Sequence, residues 1–160
     1  MPSTQESDAS QVPSTATEPI DENIAIIARQ AIVDETRSVY GYELFDRSRA
    51  ADTHTAASDA ALLFNALSYA DTEALVGKKV VFINCTHASL SGGHLDLIHP
   101  DKVVLEVPPL PDGATAQEIE GRIPTMQALR ERGFKLAFDH QALRRAYTSW
   151  LPLAAFIKLD

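Results

Sequence analysis

The chain has a single cysteine, Cys85, which excludes an internal disulfide framework and any zinc site built from several thiolates. It has no apolar run approaching the roughly 20 residues that span a bilayer. It also lacks the basic-then-apolar N-terminus that directs secretion, so a cytoplasmic location and no membrane partner are expected. Positive charge is scarce. Against 22 Asp and Glu stand 14 Lys and Arg, for a formal net charge of −8. That balance argues against a nucleic-acid partner, which is met by a basic stripe, although a local basic pocket for a small anion survives a negative total. The histidines (His54, His87, His94, His99 and His140) follow no His-Glu-x-x-His or comparable spacing. What remains is ordinary: 160 residues, 45% hydrophobic and 22% charged, suit one domain with a substantial core.

Residues 1–22 are rich in Ser, Thr, Pro, Gln and Glu and nearly devoid of large apolar groups. Such a segment buries too little surface to offset its ordering entropy, so a disordered tail is expected there. The folded domain is expected over 23–160. Ile24 to Ala28 forms a short apolar run of the kind found in a strand covered on both faces. Ser38 to Phe45 reads as a second extended piece after a turn near Asp34 and Glu35. Ala57, Ala60, Ala61, Phe64 and Leu67 recur at helical spacing, predicting an amphipathic helix to about Ala74. Val80–Asn84, Val103–Val107, Lys135–Asp139 and Ala155–Leu159 are further strands, and a short helical segment is expected around His94 to Ile98. The stretch from Pro124 to Arg132 is helical, with Pro at its first position and Gly133 just past its end. Strands without strict polar alternation, separated by helical stretches, predict a parallel sheet with helices outside it. A doubly wound sheet and part of a (β/α)8 barrel both satisfy that pattern.

Several of these strands finish in a group suited to metal or phosphate chemistry: Asn84, Glu106, Asp139 and the pair Lys158 and Asp160. In parallel α/β folds the carboxyl ends of the strands converge on the active site. Carboxylates and an amide oxygen are hard ligands for Mg²⁺ or Mn²⁺, and a lysine holds a phosphate or helps to activate a water. Each residue also has a plain structural role open to it. Asn84 can start a turn, Asp139 can cap a helix, and Lys158 can be a surface lysine. Glu106 differs, because a carboxylate inside Val-Val-Leu-Glu-Val needs a partner or a metal. Cys85 extends a buried strand and reads as a small apolar filler.

Taken in order, the segments resemble the EAL family of cyclic di-GMP phosphodiesterases, nearest to the divergent branch that often carries an HDOD domain. Ala28-Arg29-Gln30-Ala31-Ile32 resembles the opening strand and Gly41-Tyr42-Glu43-Leu44-Phe45-Asp46-Arg47 the signature. Phe82-Ile83-Asn84, Val104-Leu105-Glu106-Val107, Phe138-Asp139-His140 and Ile157-Lys158-Leu159-Asp160 resemble the strands that follow. The resemblance implies an incomplete (β/α)8 TIM-barrel-like fold of about five βα units. It implies metal ligation by Glu43, Asn84, Glu106 and Asp139, with Mg²⁺ or Mn²⁺ as cofactor of an active form. It further implies a water-assisting role for Lys158, with Glu43 also catalytic, and ligand contacts from Arg47, Gln30 and Asp160.

Four features depart from the family. The signature reads Glu-Leu-Phe instead of Glu-Ala-Leu. His140 replaces the second aspartate of Asp-Asp-Phe-Gly, and Gln141-Ala142 replace its Phe-Gly. Pro109 stands where active members carry a loop-organising glutamate. The sequence stops at Asp160, before the last strands of the barrel. The expectation is a catalytically degenerate signalling module that acts through protein interaction and binds cyclic di-GMP weakly. The alternative is an active Mg²⁺-dependent phosphodiesterase that opens the cyclic dinucleotide to linear pGpG. Self-association, or another protein covering the open barrel edge, is expected, with Trp150, Leu151, Leu153 and Phe156 contributing apolar surface there.

Overall fold

The computed structural model of the protein describes residues 27–46 and 76–159. The expected tail, residues 24–26 of the expected first strand, the helix near 57–74, Arg47 and Asp160 lie outside those residues.

Six strands form one curled sheet in the order β1-β2-β3-β4-β5-β6, each beside its predecessor. They are β1 (Ile27–Val33), β2 (Val39–Asp46), β3 (Val80–Asn84), β4 (Val103–Glu106), β5 (Lys135–Asp139) and β6 (Phe156–Lys158). From β2 to β6 all neighbours are parallel. The exception to the expected parallel sheet is β1, which pairs antiparallel with β2 as a hairpin. The Asp34 carboxylate nucleates that turn by accepting from the backbone N–H groups of Thr36 and Ser38 at 2.8 and 3.0 Å. The first strand therefore lies at the sheet margin, mostly exposed, and is not the doubly covered strand expected from its apolar start. A steady order with no reversal is that of a half-barrel and removes the doubly wound alternative.

Between β4 and β5 run two helices, α1 (Ala116–Glu120) and α2 (Ile123–Glu131). A capping box starts α1: Thr115 accepts from the Glu118 N–H while Glu118 accepts from the Thr115 N–H. Pro124 stands in the first turn of α2, where its missing N–H costs nothing. Just beyond α2, Gly133 has φ of 95°, a conformation that side chains disfavour and that turns the chain back into β5. The segment around His94 is a pair of short 3-10 turns, Ser89–Ser91 and Gly93–Leu97.

The sheet has an apolar layer on each face, which is why its strands do not read as alternating. Val81, Ile83, Val103, Leu105, Leu136 and Phe138 face outward into the main core, against α1, α2 and the 3-10 segment Arg145–Leu153. Trp150 belongs to that core. It is fully buried, with its indole N–H donating to the Ile119 carbonyl at 2.9 Å. The expectation that Trp150 contributes open apolar surface is thus corrected: the 3-10 segment folds it beneath α1. Inward, Phe82, Val104 and Ala137 form a smaller cluster with Ile32, Tyr40, Val80 and Phe156 packed on it. The rings of Tyr40, Phe82 and Phe156 meet edge-on or tilted at 5.3 to 6.2 Å.

Candidate functional site

Side chains two apart on a strand share a face. On β3 that pairs Phe82 with Asn84, on β4 Val104 with Glu106, on β5 Ala137 with Asp139 and on β6 Phe156 with Lys158. In each case an apolar inward residue is followed, one step towards the carboxyl end, by a polar one. Parallel registration then sets Asn84 opposite Glu106 and Asp139 opposite Lys158. The polar layer is the rim of the curled sheet, above an aromatic floor.

Glu43 enters the same layer from β2, facing Gln30 of β1. Two residues earlier on the same strand, Gly41 lets β2 approach β3 closely. A Cβ at Gly41 would stand 2.6 Å from the Val80 carbonyl oxygen and 3.0 Å from the Phe82 ring. The bulkier signature residues are accommodated on opposite sides. Leu44 is buried in the outer core, and Phe45 lines the inner concavity, a space of about 1070 Å³ that also touches Gln30, Glu43 and Lys158.

The centre of the site is a bridged pair of buried carboxylates. Lys158 Nζ donates to Glu43 Oε2 at 2.7 Å and to Glu106 Oε2 at 2.6 Å. Asn84 Nδ2 donates to Glu43 Oε1 at 2.6 Å. Glu43 and Glu106 are only 7% and 6% exposed, and charge so buried persists only when paired. Burial pushes the Glu106 carboxyl up to about 7, against the downward pull of the Lys158 hydrogen bond, and the nearby Glu43 charge adds to the rise. For Lys158, burial alone would lower the ammonium. Its hydrogen bonds to Glu106 and Glu43, together with their charges, outweigh that and hold it above its ordinary value.

Asp139 takes the capping role open to it. Its Oδ1 accepts from the Gln141 N–H at 2.7 Å and so starts the 3-10 turn His140–Leu143. It still borders a smaller pocket with Asn84, Glu106 and Lys158. His140 is exposed. Pro109 lies in the loop after β4, which is held at two points. His87 Nε2 hydrogen-bonds the Pro108 carbonyl at 2.9 Å, and the Leu110 N–H donates to the Tyr147 hydroxyl at 3.0 Å. Tyr40, in the aromatic floor, was not singled out by sequence reasoning. By alternation from Glu43 it belongs on the other face, but the β1–β2 register shifts beside it, between Ile32 and Val33, and no sequence signal marked that.

The donor set suits one hard cation. Glu106 Oε1 is buried without a hydrogen-bond partner, an orphaned acceptor of the kind that marks a missing ligand. The Asn84 amide and the Asp139 carboxylate line the same pocket as Glu106. Among the described residues, however, no three Asp, Glu, His or Cys side chains stand together as a ligand group, and a pair of divalent ions needs more acid than this.

No family model matches the chain. In sequence it is similar to the cyclic di-GMP phosphodiesterase CdgJ of Vibrio cholerae, with 29% identity over 141 residues. That match takes in 84% of this chain but only 31% of the relative's length. In structure it is similar to BlrP1 of Klebsiella pneumoniae in manganese and cyclic di-GMP complexes determined at pH 9.0 and pH 6. The TM-scores are 0.59 and 0.56 at 22% and 21% identity. The superpositions cover 88% and 84% of this chain and 41% and 39% of the BlrP1 chains. The chain thus carries part of the fold of the BlrP1 chains and is similar in sequence to part of a cyclic di-GMP phosphodiesterase.

Proposed function

We propose that the protein is a degenerate EAL-type signalling module. In this reading it binds one divalent cation and, weakly, the phosphodiester of cyclic di-GMP, and it signals through protein contacts instead of turnover. One observation carries this reading: Glu43, Asn84, Glu106 and Lys158 form a single hydrogen-bonded group at the strand ends, while the family's second aspartate is an exposed histidine, His140.

In this reading Glu43, Glu106 and the Asn84 amide hold the cation, and Asp139 stands at its border. The cation, when bound, neutralises a phosphodiester and makes a water more acidic. Lys158, on the same rim, supplies a positive charge for the phosphodiester. Gln30, across from Glu43, is placed for a contact with the ligand's outer face, and the aromatic floor of Tyr40, Phe82 and Phe156 keeps water from below. His140 brings no negative charge for a second cation, so in-line hydrolysis lacks half of its usual electrostatic support.

Calorimetric titration with Mn²⁺ should give about one ion per chain. Chromatography of cyclic di-GMP incubated with protein and Mn²⁺ should show no linear pGpG above background. Robust linear product, abolished by Glu43→Gln, would establish the alternative of an active phosphodiesterase. That alternative is favoured by one feature, the placement of Lys158 on both carboxylates where the family's hydrolases use a lysine to assist water.

A further inference from the structure

Three of the four oxygens on the two buried carboxylates already carry donors from the chain itself. Asn84 Nδ2 occupies Glu43 Oε1, and Lys158 Nζ occupies Glu43 Oε2 and Glu106 Oε2. Only Glu106 Oε1 is without a partner. A hard cation such as Mg²⁺ draws several oxygens to within about 2.0–2.1 Å. An ammonium held at 2.6 and 2.7 Å by the same oxygens occupies much of that space and supplies much of that charge. The lysine and an ion thus compete for the same oxygens.

We propose that Lys158 is a built-in counter-cation that a divalent ion must displace, so that loading the site is an exchange in which the lysine leaves Glu43 and Glu106 for the mouth of the cavity. The inference rests on the cation-binding reading above and adds to it a resting state latched by the chain's own lysine. β6 allows such a movement. Lys158 is the last residue of the strand, its side chain is 25% exposed, and its four-carbon stem has the rotamers to swing outward without moving the backbone. Asn84 takes part in the same exchange. Turning its amide over withdraws Nδ2 from Glu43 and presents the amide oxygen in its place. The latch explains how two adjacent, buried carboxylates coexist in a chain with an acidic surplus. It also makes metal affinity a property that one side chain tunes.

The test uses the full chain and metal ions alone. In wild-type protein, the rate at which acetic anhydride acetylates Lys158 is followed by peptide mass spectrometry across a Mg²⁺ titration, with exposed Lys102 and Lys135 as internal references. The rate at Lys158 should rise severalfold as Mg²⁺ binds, while the reference lysines stay constant. In parallel, Mn²⁺ affinity is measured by calorimetry for wild type, Lys158→Met and Lys158→Arg. Removing a competitor that keeps most molecules latched should tighten binding by ~10-fold or more in Lys158→Met, and Lys158→Arg, which restores a bridging cation, should not tighten it. Should Lys158→Met fail to fold, the acetylation series decides alone. Mg²⁺ binding with an unchanged or slower acetylation rate overturns the exchange and leaves the cation site standing. Failure of either ion to bind any of the three proteins overturns both.

Discussion

The bridge from Lys158 to two buried carboxylates makes a sharp demand on stability in the absence of divalent ions. Lys158→Met keeps the stem and its packing but leaves Glu43 and Glu106, 7% and 6% exposed, side by side without a counter-charge. Removing one member of a buried ion pair costs about 3–5 kcal/mol, and the melting temperature of a domain this size should fall by on the order of 10 °C. The loss depends on pH in a determined direction. In the folded protein Glu106 titrates at about 7 instead of the ordinary 4.5, and both contributions of Lys158 act to lower that value. Without the lysine it rises further. A carboxyl raised on folding weighs against the native state as pH climbs from 4.5 through its folded value, and is harmless when protonated below 4.5. Urea unfolding in EDTA should therefore show a larger deficit at pH 8 than at pH 5, with an unchanged m-value. A deficit below ~0.5 kcal/mol, as for a surface pair, or one equal at both pH values, would refute the view that the lysine neutralises buried charge.

Gly41→Ala should cost roughly 1–3 kcal/mol, because the added methyl meets backbone at the Val80 carbonyl and not a flexible side-chain end. Thermal denaturation checks this, and a neutral result would mean that β2 and β3 part easily at that point. His87 is held below its ordinary imidazole value by burial first and the Arg122 charge second, against the Pro108 hydrogen bond. Its NMR titration midpoint should fall below 6.5. Since the unfolded chain then takes up the proton first, stability should decline as pH drops through 6.5, and His87→Gln should flatten that slope. An identical slope in the variant would remove His87 as its source.

Strands β3 to β6 were legible in the sequence, because each is a short apolar run bounded by turn residues, whereas β1 lies over Ile27–Val33, past most of the apolar run from Ile24 to Ala28 that suggested it. The polar groups ending β3 to β6 were legible for the same reason. Hidden in those runs was a regular step: Phe82 then Asn84, Val104 then Glu106, Ala137 then Asp139, Phe156 then Lys158. With the outward residues equally apolar, no polar-apolar alternation marks which face is which, so the inner floor and the main core could not be told apart by pattern. The antiparallel β1 was missed because apolar composition says nothing of strand direction, whereas Asp34, the residue that reverses the chain, sits two before Thr36 in an ordinary Asx-turn arrangement. Trp150 was misplaced because its burial depends on the Ile119 carbonyl, 31 residues away. Asp139 illustrates a different limit. Its capping and ligand readings are compatible, and only geometry reveals that one oxygen is already engaged at 2.7 Å.

The one-after-another strand order also bears on how the protein is made. Each strand pairs with the one synthesised just before it, so the sheet can grow in step with the emerging chain, without waiting for a distant segment to return. The charge balance of the rim does not grow in step. Glu43 arrives with β2 and Glu106 with β4, but their shared partner arrives only with β6, 115 and 52 residues later. Until then two carboxylates face a half-formed interior, a standing penalty that keeps the intermediate open and hydrated at its rim. Docking of β6, which carries Lys158, cancels that penalty. Pairing of these charges is thus late in synthesis, and a ribosome-stalled chain lacking Lys158 should hold its outer core while its inner face stays wet.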